Sequence, residues 1–338
     1  MREVKPKLRE VAEHAAVSEA TVSRVLNKRP GVATETRQKV LDVLIQLGYT
    51  FGKDQIRKLG TIGIITPELD NPIFPLMAQA IESRLARHGF LSLLGPATPT
   101  TAHEHDYLQH FVRIGATGVV VVNGAYAKPS IGYAAYEHLM DDGIAVVLVN
   151  GIYEPCPVPA VTVDIAAAGY SATRHLLNLG HRRIGCIAGD FQYTSPQFLA
   201  EGYERALREA GVELEDDLIV EALFTIEGAK SAALKLINAG VTGLIAISDL
   251  MAIGAIGAAQ SQGLRVPEDL SVIGFDGTPL LATRNPMLTT LRQPVDRMAQ
   301  TVAAMLLAQV NGDRQHTQIF EADLIAGGTA GIAPALVR

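Results

Sequence analysis

One short segment near the amino terminus combines an apolar stripe with side chains that can hydrogen-bond to nucleic-acid bases. Within residues 18–27, Val22, Val25 and Leu26 have the spacing of one helix face, and Arg24 lies on the opposite face. The guanidinium of an arginine can donate two hydrogen bonds to O6 and N7 of guanine, which contributes about 1 to 3 kcal/mol to discrimination between bases. Other side chains of the segment suit phosphate contacts or the tuning of base preference: Ser18, Glu19, Ala20, Thr21, Ser23 and Asn27.

Two more short helices are predicted beside this segment, over residues 8–15 and 34–47. A tight turn at residues 16–18 joins the first helix to the second, and Ser18 is a natural N-cap. Three close helices with this turn indicate a helix-turn-helix unit, whose second helix enters the major groove of double-stranded DNA. Lys7, at the start of this unit, completes the candidate DNA contacts. Helix periodicity alone is equally compatible with a three-helix bundle that has a solvated charged face.

Charge is divided unevenly along the chain. Residues 1–60 hold 12 Lys/Arg and 7 Asp/Glu, a net charge of +5, whereas the other 278 residues hold 17 and 28, a net charge of −11. A basic segment fused to an acidic remainder is expected when one domain contacts phosphates and the other does not. Apolar residues make up 48% of the 338 residues, which excludes a disordered protein, and this length requires at least two domains.

The absence of several sequence features argues against a membrane protein, a metalloprotein and an enzyme. No run of 18 apolar residues occurs and the amino terminus is charged, so we expect a cytoplasmic protein without a membrane partner. Cys156 and Cys186 are expected to be packing residues. We expect no catalysis and no cofactor, since no phosphate-binding loop, nucleophile elbow or HExxH motif is present. The acidic and histidine-rich run at 103–110 has the wrong spacing for three metal ligands on one helix face, so we expect a solvated helix start and no metal.

From residue 61 onward, short apolar runs alternate with helical patterns, which is typical of parallel sheets covered by helices on both faces. The predicted strands form two consecutive series, 61–66, 91–95, 118–122, 145–149 and 161–163, then 183–188, 218–223, 243–248, 270–275 and 290–291. Two such series indicate two similar lobes, with a cleft where the strand ends gather. The expected fold class is therefore a small all-α headpiece followed by a two-lobed α/β core.

Strings along the whole chain resemble the LacI/GalR family of transcription regulators. They are VSEATVSRVLN at 17–27, LGHRRI at 179–184, SDLMAIGA at 248–255, VIGFD at 272–276 and LTTLRQ at 288–293. The resemblance implies a helix-turn-helix headpiece at 1–48, a hinge or linker at 49–60 and, at 61–338, a core like that of periplasmic sugar-binding proteins. It also implies chain crossovers near Asp164, Gln293 and Asp323, so that one lobe holds about 61–163 and 293–322 and the other about 164–292 and 323–331.

For function, the resemblance implies a homodimer on a pseudo-palindromic operator, acting as a repressor of carbohydrate-utilisation genes that a small sugar effector releases. The strings at 67–75 and 149–151 are similar to those of actinobacterial maltose-type repressors, which implies a maltose-like or other α-glucoside effector. The alternatives are a corepressor-dependent regulator, a sugar-binding protein without DNA regulation, and a sugar-processing enzyme with a fused headpiece.

The hinge departs from the family, whose members usually continue Tyr-x-Pro-Asn-x-x-Ala-Arg-x-Leu to form a helix with a leucine wedge for the minor groove. This chain has YTFGKDQIRKL at 49–59, without the Pro-Asn pair and with Gly52, which weakens a helix. Our hypothesis is that Ile56 or Leu59 replaces the wedge, while Arg57 and Lys58 contact phosphates. A flexible basic linker is the alternative.

Candidate effector-binding residues lie at strand ends, where carboxylates, amides and aromatic faces could hold a sugar ring. They are Asn71, Ile73, Phe74, Asn150, Ser195, Ser248, Phe275, Asp276 and Gln293, with Tyr153, Gln197 and Asp249 as further candidates. Asp276 is favoured most, with a helix cap as its alternative role; the two phenylalanines could be core residues, and Gln293 could bind ligand or tie the lobes. Leu199 replaces an arginine and Ser248 a common asparagine of the family, which favours a neutral sugar over an anionic one.

Overall fold

The computed structural model describes residues 8–26, 32–47, 60–97, 101–279 and 285–334. The chain divides into two compact units, Met1–Leu59 and Gly60–Arg338. Six residues named above as candidates or in the hinge hypothesis fall outside the described residues: Lys7, Asn27, Ile56, Arg57, Lys58 and Leu59.

Three short helices form the first unit, and each buries one apolar face. They are α1 (Leu8–Ala15), α2 (Glu19–Leu26) and α3 (Thr34–Gln46). Val11, Val22 and Leu44 are fully buried in their common core. The predicted N-cap is confirmed, because the Ser18 hydroxyl accepts a hydrogen bond from the Thr21 N–H at 3.1 Å. The helix-turn-helix predicted from apolar spacing is therefore the architecture of this unit.

The second unit contains two sheets, and the first of them forms the core of what we call the N-lobe. Its strands are β1 (Thr61–Thr66), β2 (Leu91–Pro96), β3 (Gly118–Val122), β4 (Ala145–Val149), β5 (Ala160–Val163) and β11 (Gln318–Phe320). They are parallel and lie in the order β11-β5-β4-β3-β1-β2. Its helices are α4 (Ile73–Arg87), α5 (Thr101–Ile114), α6 (Ala134–Asp141) and α11 (Val295–Val310).

The second sheet forms the core of the C-lobe. Its strands are β6 (Ile184–Ala188), β7 (Ile219–Glu221), β8 (Gly243–Ala246), β9 (Ser271–Asp276), β10 (Thr289–Arg292) and β12 (Asp323–Ile325). They lie in the order β12-β10-β9-β8-β6-β7, all parallel except β12, which runs antiparallel to β10. Its helices are α7 (Ile165–Asn178), α8 (Thr194–Glu209), α9 (Ile226–Asn238) and α10 (Asp249–Ser261).

The chain passes between the lobes three times, after β5, after β10 and between β11 and β12. Strands such as β3 and β4 are buried along their whole length, because helices cover both faces of a parallel sheet. Continuous apolar runs made these strands predictable. The strands β11 and β12 were not predicted, since each has three residues; β11 is mostly exposed and β12 mostly half-buried, so neither shows an apolar run.

Glu104 corrects the expectation of a solvated helix start at 103–110. Its neighbours His105 and Asp106 are exposed, but Glu104 itself is buried and accepts hydrogen bonds from the Ala125 N–H and the Tyr136 hydroxyl. Across the described residues, three or more potential metal-binding side chains nowhere cluster together. No helix among them combines the length and the apolar character that crossing a bilayer requires.

A buried histidine is expected to make the stability of the C-lobe depend on pH. His181 Nδ1 lies 2.8 Å from the Thr242 hydroxyl, and Nε2 lies 3.1 Å from the Gly331 carbonyl oxygen, to which it donates. Burial lowers the pKa of His181, the bond to Gly331 opposes this, and nearby His175 lowers the pKa further. The unfolded chain therefore binds the proton more tightly than the folded protein does. The stability that His181 contributes is present above about pH 6.5 and is lost as the pH falls through the lower pKa of the folded state.

This effect can be measured as the difference in free energy of unfolding between the wild type and His181→Gln. We expect urea denaturation to give a larger difference at about pH 7.5 than at about pH 5. His138→Gln, on the exposed face of α6, is the matched control. A difference for His181→Gln that does not change with pH would contradict this assignment.

Candidate DNA interface and effector cavity

The predicted DNA-contacting residues share one face of α2. Glu19, Ala20 and Arg24 are exposed, while Thr21 and Ser23 are half-buried beside them. Glu19 and Ala20 lie in the first turn of α2, and Arg24 lies one turn later on the same face. These exposed side chains therefore begin at the amino end of the helix, where recognition helices contact bases. Besides capping α2, the Ser18 hydroxyl lies 2.9 Å from the Thr21 hydroxyl. The cap therefore occupies these two hydroxyls, which leaves Arg24 as the principal candidate for reading bases.

The second unit holds a cavity of about 120 Å³ between its lobes, at the carboxyl ends of the strands. All nine predicted effector-site residues line it: Asn71, Ile73, Phe74, Asn150, Ser195, Ser248, Phe275, Asp276 and Gln293. That they bind a ligand remains a prediction. Sequence reasoning missed other residues of the lining, among them Glu68, Asn123, Tyr193 and Phe224.

A chain of hydrogen bonds runs along the cavity from one lobe to the other. Asn150, directly after β4, accepts from the Val163 N–H at 3.0 Å and donates from Nδ2 to Gln293 Oε1 at 3.0 Å. Gln293, on the crossover after β10, donates from Nε2 to Asp276 Oδ1 at 2.8 Å. We call this chain, Asn150–Gln293–Asp276, the strut. Gln293 therefore ties the lobes, one of the two roles that the sequence left open.

Asp276 is buried at the last position of β9 with a φ of 122°, in the left-handed region that non-glycine residues rarely adopt. Burial raises the pKa of its carboxyl well above the usual value, and the nearby acid Asp249 raises it further. Hydrogen bonds from the side chains of Gln293 and Asn71 and from the backbone N–H of Asp249 only partly oppose these effects. No described helix begins at Asp276, but the bond from the Asp249 N–H gives its carboxyl a capping contact with the amino end of α10, which agrees with the alternative of a helix cap. A carboxyl with a raised pKa can be protonated and can then both donate and accept hydrogen bonds.

Three buried polar atoms of the lining have no hydrogen-bond partner among the described residues. They are Asp276 Oδ2, Ser195 Oγ and Asn123 Oδ1. Leaving a buried polar atom unpaired costs about 1 to 3 kcal/mol, so a ligand that offers hydroxyl groups would recover this free energy. The aromatic side chains of the lining add apolar faces, as a sugar ring requires.

The charged side chains of the lining restrict the charge that a ligand can carry. In the described part of the chain, the lining includes no lysine or arginine, and its acidic side chains are Glu68 and Asp276. Burial raises the pKa of Glu68, and neighbouring Asp70 raises it further. An anionic ligand would therefore meet two carboxyls and no cation, which is unfavourable in a buried site. The lining fits a neutral ligand.

Four of the candidates predicted from the sequence have other roles. Tyr153 stacks on Tyr133 with ring centroids 4.9 Å apart, and Gln197 is exposed and bonded to the Phe191 carbonyl; neither lines the cavity. Asp249 does not line the cavity either, and it accepts from the Thr290 hydroxyl at 2.5 Å.

The fourth, Ser248, lines the cavity, but its hydroxyl also caps α10 by accepting from the Met251 N–H at 3.2 Å. Leu199, at the family's arginine position, is buried where α7 meets α8 and does not line the cavity. The backbones approach closely there: a Cβ on Gly169 would lie 2.5 Å from the Leu199 carbonyl oxygen, and one on Gly202 would lie 2.0 Å from the Ala166 carbonyl oxygen.

A helix-turn-helix unit, followed by two α/β lobes around a cavity lined by apolar and polar side chains, defines a DNA-binding regulator with a periplasmic-binding-protein-like core. Comparison with known sequences agrees. Residues 7–50 match the bacterial regulatory proteins of the lacI family, and residues 173–329 match the periplasmic binding protein-like domain. The HTH-type transcriptional regulator MalR of Streptomyces coelicolor is 40% identical over 335 residues, which cover 97% of each chain.

A second relative, the HTH-type transcriptional regulator DegA of Bacillus subtilis, is 33% identical and covers 87% of this chain and 88% of its own. Among solved structures, the complex of the transcriptional regulator CelR with cellobiose superposes with a TM-score of 0.70 at 25% identity, covering 96% of this chain and all of CelR. The chain belongs to the LacI family of bacterial transcription regulators. It is a DNA-binding transcriptional regulator, and the prediction that it is not an enzyme is confirmed by this family.

Proposed function

We propose that the protein is a homodimeric repressor of carbohydrate-utilisation genes, and that a neutral sugar bound between the lobes releases it from a pseudo-palindromic operator. The observation that carries the proposal is the cavity, which combines three unpaired buried polar atoms with aromatic faces and offers no cation among the described residues. Hydroxyl groups that both donate and accept, on a ring with apolar faces, complement this lining.

A maltose-like or other α-glucoside is the effector class that we propose. The CelR structure was solved with a disaccharide, cellobiose. The cavity of about 120 Å³ is close in size to the roughly 150 Å³ engineered cavity that accepts one benzene ring. We infer that one ring of the sugar enters between Phe74 and Phe275, and that the lobes separate further to admit a second ring.

Release from DNA follows if the sugar binds one arrangement of the lobes more tightly than the other, because it then shifts the population toward that arrangement. The strut joins the lobes beside the cavity, so a sugar that bonds to Asn150 or Asp276 competes with bonds that hold the present arrangement. A coupling free energy of about 1 to 3 kcal/mol would lower the affinity for DNA by about 5- to 150-fold. The opposite sign would make the sugar a corepressor.

The first test uses labelled DNA from upstream of the protein's own gene, with a footprint to locate the protected site. The proposal predicts one protected segment with two-fold symmetry, together with a rise in thermal stability on adding maltose. A protein that responds to maltose but protects no specific DNA would instead support the sugar-binding alternative. Cellobiose, trehalose and glucose extend the test to other neutral sugars.

Exposed leucines support the homodimer. Leu91, Leu93 and Leu94 lie on β2, the edge strand of the N-lobe sheet, and Leu223, 75% exposed, follows β7, the corresponding edge of the C-lobe sheet. Exposed apolar residues on matching edges of both lobes suit one continuous contact with a second copy of the chain.

Leu93→Lys is therefore expected to shift the protein from dimer to monomer in analytical ultracentrifugation, because each copy would bury an unpaired ammonium at the interface. Ile319→Lys is the matched control, since Ile319 is exposed on β11, at the opposite edge of the N-lobe sheet. If Leu93→Lys stays dimeric, or if Ile319→Lys dissociates instead, the interface lies elsewhere.

A further inference from the structure

Glu104 on α5 is a buried carboxylate with only 6% of its surface exposed, and it does not line the cavity between the lobes. Oε2 accepts the Ala125 N–H at 2.7 Å, and Oε1 accepts the Tyr136 hydroxyl in a short hydrogen bond. The glycine at 124 makes room for this contact, since a Cβ there would lie 2.8 Å from Oε2. An acid buried away from the ligand needs a structural reason, because its desolvation is unfavourable.

Glu104 holds residues 123–128. This segment faces the effector cavity at Asn123 and contacts the C-lobe at Lys128. Asn123, with a φ of 45°, lines the cavity and presents the unpaired Oδ1. Lys128 Nζ lies 4.5 Å from the centroid of the Tyr193 ring and 3.5 Å from Gln192 Oε1. Because Gln192 and Tyr193 follow β6 of the C-lobe, this contact joins the two lobes. We call it the Lys128 clasp.

The same segment is also tied to the strut. Tyr126, fully buried at its centre, places its hydroxyl 2.9 Å from the Val149 carbonyl oxygen and 2.8 Å from that of Asn150. Asn150 is the N-lobe end of the strut. The backbone position of residues 123–128 therefore affects a cavity side chain, the clasp and the strut together.

We propose that Glu104 is a positioning residue for the effector response: by holding residues 123–128 it sets Asn123 in the cavity and keeps the Lys128 clasp closed. The proposal rests on the proposed function, in which a sugar binds between the lobes. A carboxylate suits this place because both of its oxygens meet donors, the Ala125 N–H and the Tyr136 hydroxyl. In Glu104→Gln, the amide oxygen can accept the Ala125 N–H while the NH₂ group donates to the Tyr136 hydroxyl oxygen. A charge-assisted hydrogen bond is then replaced by a weaker neutral one, and the buried Tyr136 proton loses its acceptor, without a change in side-chain size.

Hydrogen exchange of the full chain without sugar tests the positioning directly. In Glu104→Gln we expect amide exchange to rise by roughly tenfold in residues 123–128 and also in residues 190–194, which belong to the other lobe. Asp106→Asn is the matched control, since it removes the same charge from an exposed position on the same helix and should change neither segment. Tyr136→Phe removes one of the two donors and should give a smaller effect of the same kind, which keeps the test available if Glu104→Gln folds poorly.

A change confined to residues 123–128 would overturn the proposal, because Glu104 would then be only a local support. Maltose affinity measured by calorimetry gives the second readout. We expect Glu104→Gln to weaken maltose binding about tenfold, because Asn123 would no longer be held in its position in the cavity lining. If maltose fails to bind the wild type, the proposed maltose effector fails, while the exchange experiment still decides the role of Glu104.

Discussion

Arg24→Ala is expected to lower affinity for the operator by about 5- to 150-fold at each half-site, corresponding to about 1 to 3 kcal/mol for the loss of a bidentate contact to guanine. In a dimer the loss applies to both half-sites. The expectation rests on the geometry of α2, where Val22 and Val25 are buried in the headpiece and Arg24 is exposed on the opposite side. Fluorescence anisotropy with operator DNA and with scrambled DNA, at one salt concentration, measures the effect.

The control for Arg24 is Arg9→Ala, which removes the same charge from α1. Arg9 is exposed and paired with Glu13 at 3.1 Å. We expect this variant to weaken operator and scrambled DNA slightly and equally, because only the electrostatic attraction changes. If Arg24→Ala also weakens both DNAs by the same factor, Arg24 contacts phosphates and base reading must be assigned to another residue.

Asp276→Ala is expected to shift the response to sugar to higher sugar concentrations. The change removes the unpaired Oδ2 from the cavity and leaves Gln293 Nε2 without its acceptor in the strut. A hydrogen bond to a neutral carboxyl contributes about 0.5 to 1.5 kcal/mol, so we expect the sugar affinity to fall by roughly 2- to 13-fold. Calorimetry with maltose measures the affinity, and anisotropy measures the sugar concentration that releases DNA.

Asp323→Ala is the matched control for Asp276, because it removes an exposed aspartate from the same sheet, where it pairs with Arg292. It should bind sugar and release DNA as the wild type does. Release of DNA from Asp276→Ala at the sugar concentrations that suffice for the wild type would show that this carboxyl does not contribute to binding.

The headpiece and the two lobes could be predicted because their signals are local. Apolar spacing in the first 47 residues indicated three helices with a capped turn, and uninterrupted runs such as 118–122 indicated buried parallel strands. Strand ends of a parallel sheet converge, so polar residues directly after predicted strands were good candidates for one cavity. Asn150 and Gln293, which directly follow β4 and β10, are examples of this rule, and all nine effector-site candidates line the cavity.

The residues that were missed depend on contacts between distant parts of the chain. Asn123 directly follows β3, so the strand-end rule could have found it, but Tyr193 and Phe224 are loop aromatics that no sequence pattern distinguishes from other loop residues. Glu104 looked solvated because its neighbours are polar, whereas its burial depends on Ala125 and Tyr136, 21 and 32 residues away. Leu199 could be recognised as a departure from the family, but only the close approach of α7 and α8 shows that it packs there.

The central claim, that a neutral sugar releases the regulator from its operator, is tested most directly by one titration. Wild-type protein bound to its labelled upstream operator, at fixed salt, is titrated with maltose. In parallel it is titrated with glucose and with glucose 6-phosphate, a matched pair of a neutral sugar and its phosphate ester. The account predicts release by a neutral sugar and no release by the phosphate ester, because the described lining offers two carboxyls and no cation. Release by the phosphate ester alone, or operator binding that no sugar alters, would contradict it.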